Sequence, residues 1–196
     1  ICTVYITGIG CGNCEVNDSL IFSKLPLEND NFVVIEYEIF KLASENQKIS
    51  VEYFKNYLPD INPGVPFFIL DRKHKALGRN QVSGARQILE KTKSNPCPLP
   101  SGQSKAFKNL DLNSLPGKVK IWHKDRLLIS EKKAGNSNSL KKLLIVPEPE
   151  KLINNLDYEL IEPKPVEISG GKINFNKAVK LDGWIFQWQQ QKIQTD

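Results

Sequence analysis

Two cysteines three residues apart, in Cys11-Gly12-Asn13-Cys14, are the side chains of this 196-residue protein best suited to chemistry. A pair at that spacing can close and reopen a disulfide by thiol–disulfide exchange, or can offer two thiolates to a metal. A thiol attacks a disulfide only as thiolate. Free cysteine has a pKa of about 8.5, and a helix N-terminus can bring it to about 3.5–7.5. If a helix begins here, Cys11 receives its unpaired N–H groups and the positive end of its dipole, which makes Cys11 the nucleophile. Cys14, within the first helical turn, is then the resolving cysteine. Gly12 is expected to let the backbone turn tightly and leave Cys11 approachable.

The flanking sequence supplies that setting. Residues 3–9 begin Thr3-Val4-Tyr5-Ile6-Thr7 and read as a strand of β-branched and aromatic residues. Val16, Leu20, Ile21 and Leu25 predict an amphipathic helix over 14–25, ended by Pro26. Residues 31–37 form a second apolar strand suited to the middle of a sheet. Ser44 and Gln47 stand at capping-box spacing, and Ile49, Tyr53, Tyr57 and Leu58 mark a face of the helix that follows. Residues 59–64 break it. Val65-Pro66 opens a third strand over 65–70, Asp71-Arg72-Lys73-His74 makes a polar turn, and residues 76–79 return as a short fourth strand. Ser83 is placed to cap a last helix with Ile88 and Leu89 facing inward.

This order, with a C-x-x-C between the first strand and helix and a Val-Pro entering the third strand, resembles the thioredoxin and glutaredoxin superfamily. The resemblance covers residues 3–95, half of the chain. It implies an α/β, thioredoxin-like domain and a thiol–disulfide oxidoreductase that works through the Cys11/Cys14 dithiol, with no cofactor besides. It also implies substrate contacts at Gly12, Asn13, Val65 and Pro66. Val65 would offer backbone hydrogen bonds to an extended substrate strand, with the Val65–Pro66 bond in the cis form accessible to X–Pro. The residues alone equally allow a trans proline opening an edge strand. The motif also departs from thioredoxins. Gly10 replaces the usual Trp, Gly-Asn replaces Gly-Pro, and Tyr5 stands where a buried acid is usual. Proton transfer at Cys14 must therefore use water or another group. Glu15 would disfavour a thiolate if it pointed at Cys11. These differences favour a glutaredoxin-like or specialised redox protein over a general reductase.

Two alternatives compete for Cys11 and Cys14: half of a structural zinc site, and an inert disulfide. Zinc takes four ligands, and Cys2, Cys97, His74 and His123 form no second close pair, so no metal is expected. In a thioredoxin fold Cys2 and Cys97 would both lie at the sheet end opposite Cys11, which makes them candidates for a structural disulfide. Two free thiols are the alternative. The bond requires a Cα separation within ~7 Å and would imply an oxidising compartment. His74 and His123 fall in polar turns and read as surface residues. Trp122, Trp184 and Trp188 read as strand core, with a sugar or peptide platform as the lesser reading. Ser169-Gly170-Gly171 lacks the strand-to-helix setting of a phosphate loop and reads as a turn.

The Pro-rich stretch 95–102 marks a boundary. The expected organisation is a thioredoxin-like domain over 1–97, a linker over 98–109 and a smaller, mainly β appendage over 110–190. In the appendage, residues 119–122 and 127–130 read as a hairpin and 143–146 as an apolar run. Residues 150–155, after Pro147-Glu148-Pro149, read as a short helix, and 158–161, 166–168, 173–175 and 179–181 as short strands. Asp182-Gly183 is a hairpin turn before the strand from Trp184 to Trp188. The polar residues 187–194 read as a frayed end or linker, and the region carries no family resemblance.

Acids and bases balance over residues 1–97, so the net charge of +5 falls on residues 98–196. Lys118, Lys120, Lys124, Arg126, Lys132, Lys133, Lys141 and Lys142 read there as a solvated surface. Weak attraction to anionic lipid is the alternative, and nucleic acid is not an expected partner because no reader motif surrounds these residues. No stretch approaches the ~20 apolar residues that cross a bilayer. The chain lacks methionine and opens on Ile1-Cys2, from which we expect a start lost with a signal peptide or by trimming. With the Cys2/Cys97 pair this predicts an extracytoplasmic location (periplasmic, lumenal or cell-surface), with room for a membrane anchor outside this chain; the cytoplasm is the alternative. The expected partner is a protein thiol or disulfide substrate or a redox partner. A non-enzymatic interaction module on the same scaffold is the competing function.

Overall fold

Alternation along the first two strands builds a sheet covered on both faces. β1 (Cys2–Thr7) and β2 (Val33–Glu38) are buried along their whole length and pair in parallel, Cys2 opposite Val33 and Thr7 opposite Glu38. Val4, Ile6, Ile35 and Tyr37 face Ile49, Tyr53 and Phe54 of α3 (Ser44–Tyr57). Tyr5 and Val34 face the other way, toward Ile21, Phe22, Leu25, Val82 and Leu89. A strand buried on both faces has to be apolar on both, which accounts for the unbroken run Phe32-Val33-Val34-Ile35. This computed structural model describes residues 1–40, 44–110, 115–117, 119–123, 126–128, 159–168, 171–175, 177–181 and 184–188.

β3 (Phe67–Ile69) lies antiparallel to β1 on its free side, and β4 (Lys75–Leu77) antiparallel to β3. The architecture is mixed α/β. Helix α1 (Gly12–Ser19) leaves β1 directly and runs on through a π-helical stretch (Leu20–Lys24) into α2 (Leu25–Glu28). Pro26 therefore does not end the helix. The Leu25 N–H reaches back to the Leu20 carbonyl, and Pro26, with no N–H to donate, stands in the first turn of α2 just past this π-helical stretch. Ser83 follows α4 (Gly78–Val82) as its C-cap, and Gly84 is the N-cap of α5 (Ala85–Glu90). Gln47, read as half of a capping box, donates to the Ile39 carbonyl at 3.0 Å.

The sheet does not stop at the proline run. β5 (Cys97–Pro98) pairs with β6 (Ser104–Lys105). Tyr53 and Tyr57 donate to the Pro98 and Leu99 carbonyls, each at 3.0 Å, and Phe107 is buried in the α3-side core. Residues 98–109, read as a linker, are thus stitched to α3. β7 (Val119–His123) then adds antiparallel beside β2, Ile121 opposite Ile35. Beyond it, β8 (Arg126–Leu128), β13 (Trp184–Trp188), β12 (Lys177–Leu181) and β9 (Glu159–Leu160) continue the sheet in that order. β10 (Val166–Ile168) and β11 (Gly171–Ile173) form a separate pair.

The expected hairpins 119–130 and 179–188 are present over their described residues. The readings at 143–146, 147–149 and 150–155, at Ser169-Gly170, Asp182-Gly183 and 189–194, and at Lys118, Lys124, Lys132, Lys133, Lys141 and Lys142 lie outside the described residues. No helix among the described residues is long and apolar enough to cross a membrane.

Candidate redox site

Between β1 and α1 the chain makes a tight turn closed by the Cys11 N–H on the Gly8 carbonyl at 3.1 Å. Gly10 adopts φ 82° in its third position, a conformation that favours glycine over any residue with a Cβ. That backbone demand explains why Gly10 and not a bulky residue precedes Cys11. Gly12 is already helical, so the tight turn assigned to it belongs to Gly10; a Cβ at Gly12 would meet open space. Cys11 is the N-cap of α1, and its sulfur accepts the Cys14 N–H at 3.2 Å. Cys11 and Cys14 form a disulfide with a Cα separation of 5.2 Å. The two sulfurs differ in access: Cys11 is half-buried, and Cys14 is 0% exposed.

Two buried side chains fix the surroundings. Glu38, at the end of β2, accepts the N–H groups of Ile9 at 2.8 Å and Phe40 at 2.9 Å, tying the turn that carries Cys11 to the exit of β2. Asn17 donates to the Arg79 carbonyl at 3.1 Å and lies 2.9 Å from the Ser83 hydroxyl. Arg79 follows Gly78, whose N–H is held by the Pro66 carbonyl at 2.8 Å. Asn17 thus links the cysteine helix to the Val65-Pro66 loop, which enters β3 at the end of the sheet where β1 leaves for Cys11. Val65 is half-buried, Pro66 is buried, and the peptide between them is cis. Asn13 and Glu15 are exposed. Ile9, Val16 and Phe40 add large exposed apolar side chains, and the Phe40 ring lies against Gly8.

Compared with protein-family models, curated proteins and solved structures, the chain matches none. The chemistry of the site is accordingly read from its own atoms.

Between α1 and the sheet, one helical turn past Cys14, sits a group of polar residues. The Asp18 carboxylate accepts from the Tyr5 hydroxyl at 3.0 Å and the Thr7 hydroxyl at 3.2 Å. Burial first, and the nearby Glu36 carboxylate second, push Asp18 up to about 7. Glu36 accepts from the Trp122 indole at 2.6 Å and pairs with the Lys120 ammonium at 3.3 Å, the pair about 5% exposed. Burial holds Lys120 below its usual range, against the pull of Glu36. Lys120 is therefore no part of a solvated lysine surface. It projects from β7 into the interior, where only an ion pair makes a buried ammonium tolerable. Sequence reasoning missed Asp18, Glu36, Glu38 and Asn17. The available signal was a charged residue within a fully apolar strand, in Val34-Ile35-Glu36-Tyr37 and again in Val119-Lys120-Ile121-Trp122.

The remaining cysteines are bonded too. Cys2 and Cys97, both buried, form a disulfide with a Cα separation of 4.9 Å. All four sulfurs are thereby engaged in disulfides. His74 is half-buried in its turn and lies 2.8 Å from Asp71, and Trp122 is core. The side chains of His123, Trp184 and Trp188 lie outside the described residues.

Proposed function

We propose that this chain is a thiol–disulfide oxidoreductase on a thioredoxin-like scaffold, with Cys11 the sulfur that substrates attack and Cys14 the resolving sulfur. One observation carries the reading: a four-residue disulfide placed at a helix N-cap, its first sulfur reachable and its second buried. Exchange needs an exposed sulfur, and when the mixed disulfide at Cys11 is resolved Cys11 leaves as a thiolate, which the N–H groups of the first helical turn stabilise. The strand order β4-β3-β1-β2, with Val65-Pro66 at the Cys11 end, supports the same scaffold.

The exposed apolar side chains of Ile9, Val16 and Phe40 favour a protein substrate over a small charged thiol. The dithiol itself carries the electrons. The buried Cys2–Cys97 disulfide favours an oxidising, extracytoplasmic compartment.

Equilibration of the folded protein in glutathione buffers, quenched and read by mass spectrometry, tests the reading. Reversible reduction of Cys11–Cys14, together with insulin reduction that vanishes in a Cys11→Ser, Cys14→Ser double variant, is expected. A pair inert to glutathione and dithiothreitol in the folded protein would instead make the chain an interaction module.

A further inference from the structure

Opening the Cys11–Cys14 bond creates a charge at its buried end. When an external thiolate attacks the Cys11 sulfur, the S–S bond breaks and its electron pair passes to the Cys14 sulfur. Cys14 is 0% exposed, and a bare thiolate away from water and without a partner is strongly disfavoured. A proton must therefore arrive with the electrons. Glu15, the neighbouring acid, is exposed. Asp18 lies one helical turn beyond Cys14 on α1, a spacing that brings side chains to the same face with Cβ atoms about 5–6 Å apart. Its hydrogen bonds to Tyr5 and Thr7 turn it toward the sheet, on the buried side of the helix.

We propose that Asp18 exchanges this proton with Cys14. The proposal rests on the oxidoreductase reading. In the forward step the thiolate R–S⁻ bonds to Cys11, Cys14 takes the electron pair and the Asp18 proton, and Asp18 becomes a carboxylate. A second thiolate of the same substrate dithiol then displaces Cys11 as thiolate. The substrate leaves as disulfide, two electrons have moved, and half-buried Asp18 regains a proton from solvent. Closing the bond reverses each step.

The surroundings suit a group that must both hold and release a proton. The titratable and charged groups facing Asp18 are Tyr5 on β1, Glu36 on β2 and Lys120 on β7, with Glu38 further along β2. Burial and Glu36 favour its neutral form, while Tyr5, Thr7 and Lys120 favour the anion. The balance falls near neutrality. Lys120, from β7, adds the last and smallest of these influences.

The test uses the oxidised protein, in which neither cysteine titrates. Reduction by dithiothreitol is followed by quenched mass spectrometry across the neutral range, with rates expressed per reductant thiolate. In the wild type the rate is expected to fall above a break near pH 7. Asp18→Asn should lose the break and react about 10²-fold more slowly below it, and Asp18→Glu should restore a break. Tyr5→Phe, which keeps the core filled, should move the break upward by about one pH unit. An unchanged profile in Asp18→Asn overturns the proposal. So does an unmoved break in Tyr5→Phe, should the aspartate variant fail to fold. A wild-type disulfide that resists dithiothreitol while folded overturns the oxidoreductase reading instead.

Discussion

The two disulfides belong to opposite ends of β1, and their surroundings differ at every level. At the Cys2 end both cysteines are buried, and the Asn95 side-chain amide pairs with the Cys2 backbone at 3.1 and 2.6 Å as a further strand would. That bond joins residues 95 apart. At the Cys11 end the bond spans three residues, begins at a helix N-cap, and leaves one sulfur within reach of solvent. A disulfide stabilises roughly with the logarithm of the loop it closes, and it reacts according to the access of the attacked sulfur and the quality of the leaving thiolate. On the proposed reading, one pair holds the chain and the other exchanges electrons.

The comparison breaks most visibly if function follows the wrong pair. Cys11→Ser should abolish insulin reduction outright, whereas Cys2→Ala, Cys97→Ala should retain it under conditions where the variant remains folded. Stability should show the reverse bias. The Cys2/Cys97 variant is expected to lose about 4–5 kcal/mol in denaturant unfolding, and the Cys11/Cys14 double variant only about 2 kcal/mol. Glu38→Ala sharpens the account of how Cys11 is held. Two N–H groups lose their acceptor, so about 1–3 kcal/mol of stability should go, with faster amide exchange at Ile9 and Phe40 and no change at Cys2.

The last effect concerns pH. Asp18 titrates near 7 when folded and near 4 when unfolded. The folded state therefore keeps a proton that the unfolded chain has released, and stability declines as pH rises from about 4 to 7. Asp18→Asn should flatten that decline in urea unfolding measured across the window.

Much of this arrangement was legible in the sequence, because it is written in local pattern. The strand before Cys11, the helix after it and the strand that Val65-Pro66 opens each need only a short window, whereas the placement of Cys2 and Cys97 was implied by the resemblance to the thioredoxin superfamily. The polar group between α1 and the sheet was not legible. Tyr5, Asp18, Glu36 and Lys120 are up to 115 residues apart in the chain, and only the packing of α1 on β1, β2 and β7 brings them together. Lys120 misled for a physical reason: counted with its neighbours it belongs to a charged surface, but its alternation with Val119 and Ile121 puts it on an inward face of a two-sided sheet. Gly10 looked like a loss until its positive φ gave it a task. Pro26 failed as a helix stop because a π-turn shifted the backbone bonding ahead of it. After the prolines the chain makes the β5–β6 pair, and β7 pairs with β2.

The most direct test is a stepwise reduction of the native protein. Increasing glutathione or dithiothreitol is applied without denaturant, free thiols are trapped by alkylation, and each cysteine is mapped by mass spectrometry. Labelling of Cys11 and Cys14 while Cys2–Cys97 stays intact, the latter opening only when denaturant is added, is the predicted result. Reduction of Cys2–Cys97 first, or of both pairs together only on unfolding, would contradict the division of labour between the two ends of β1.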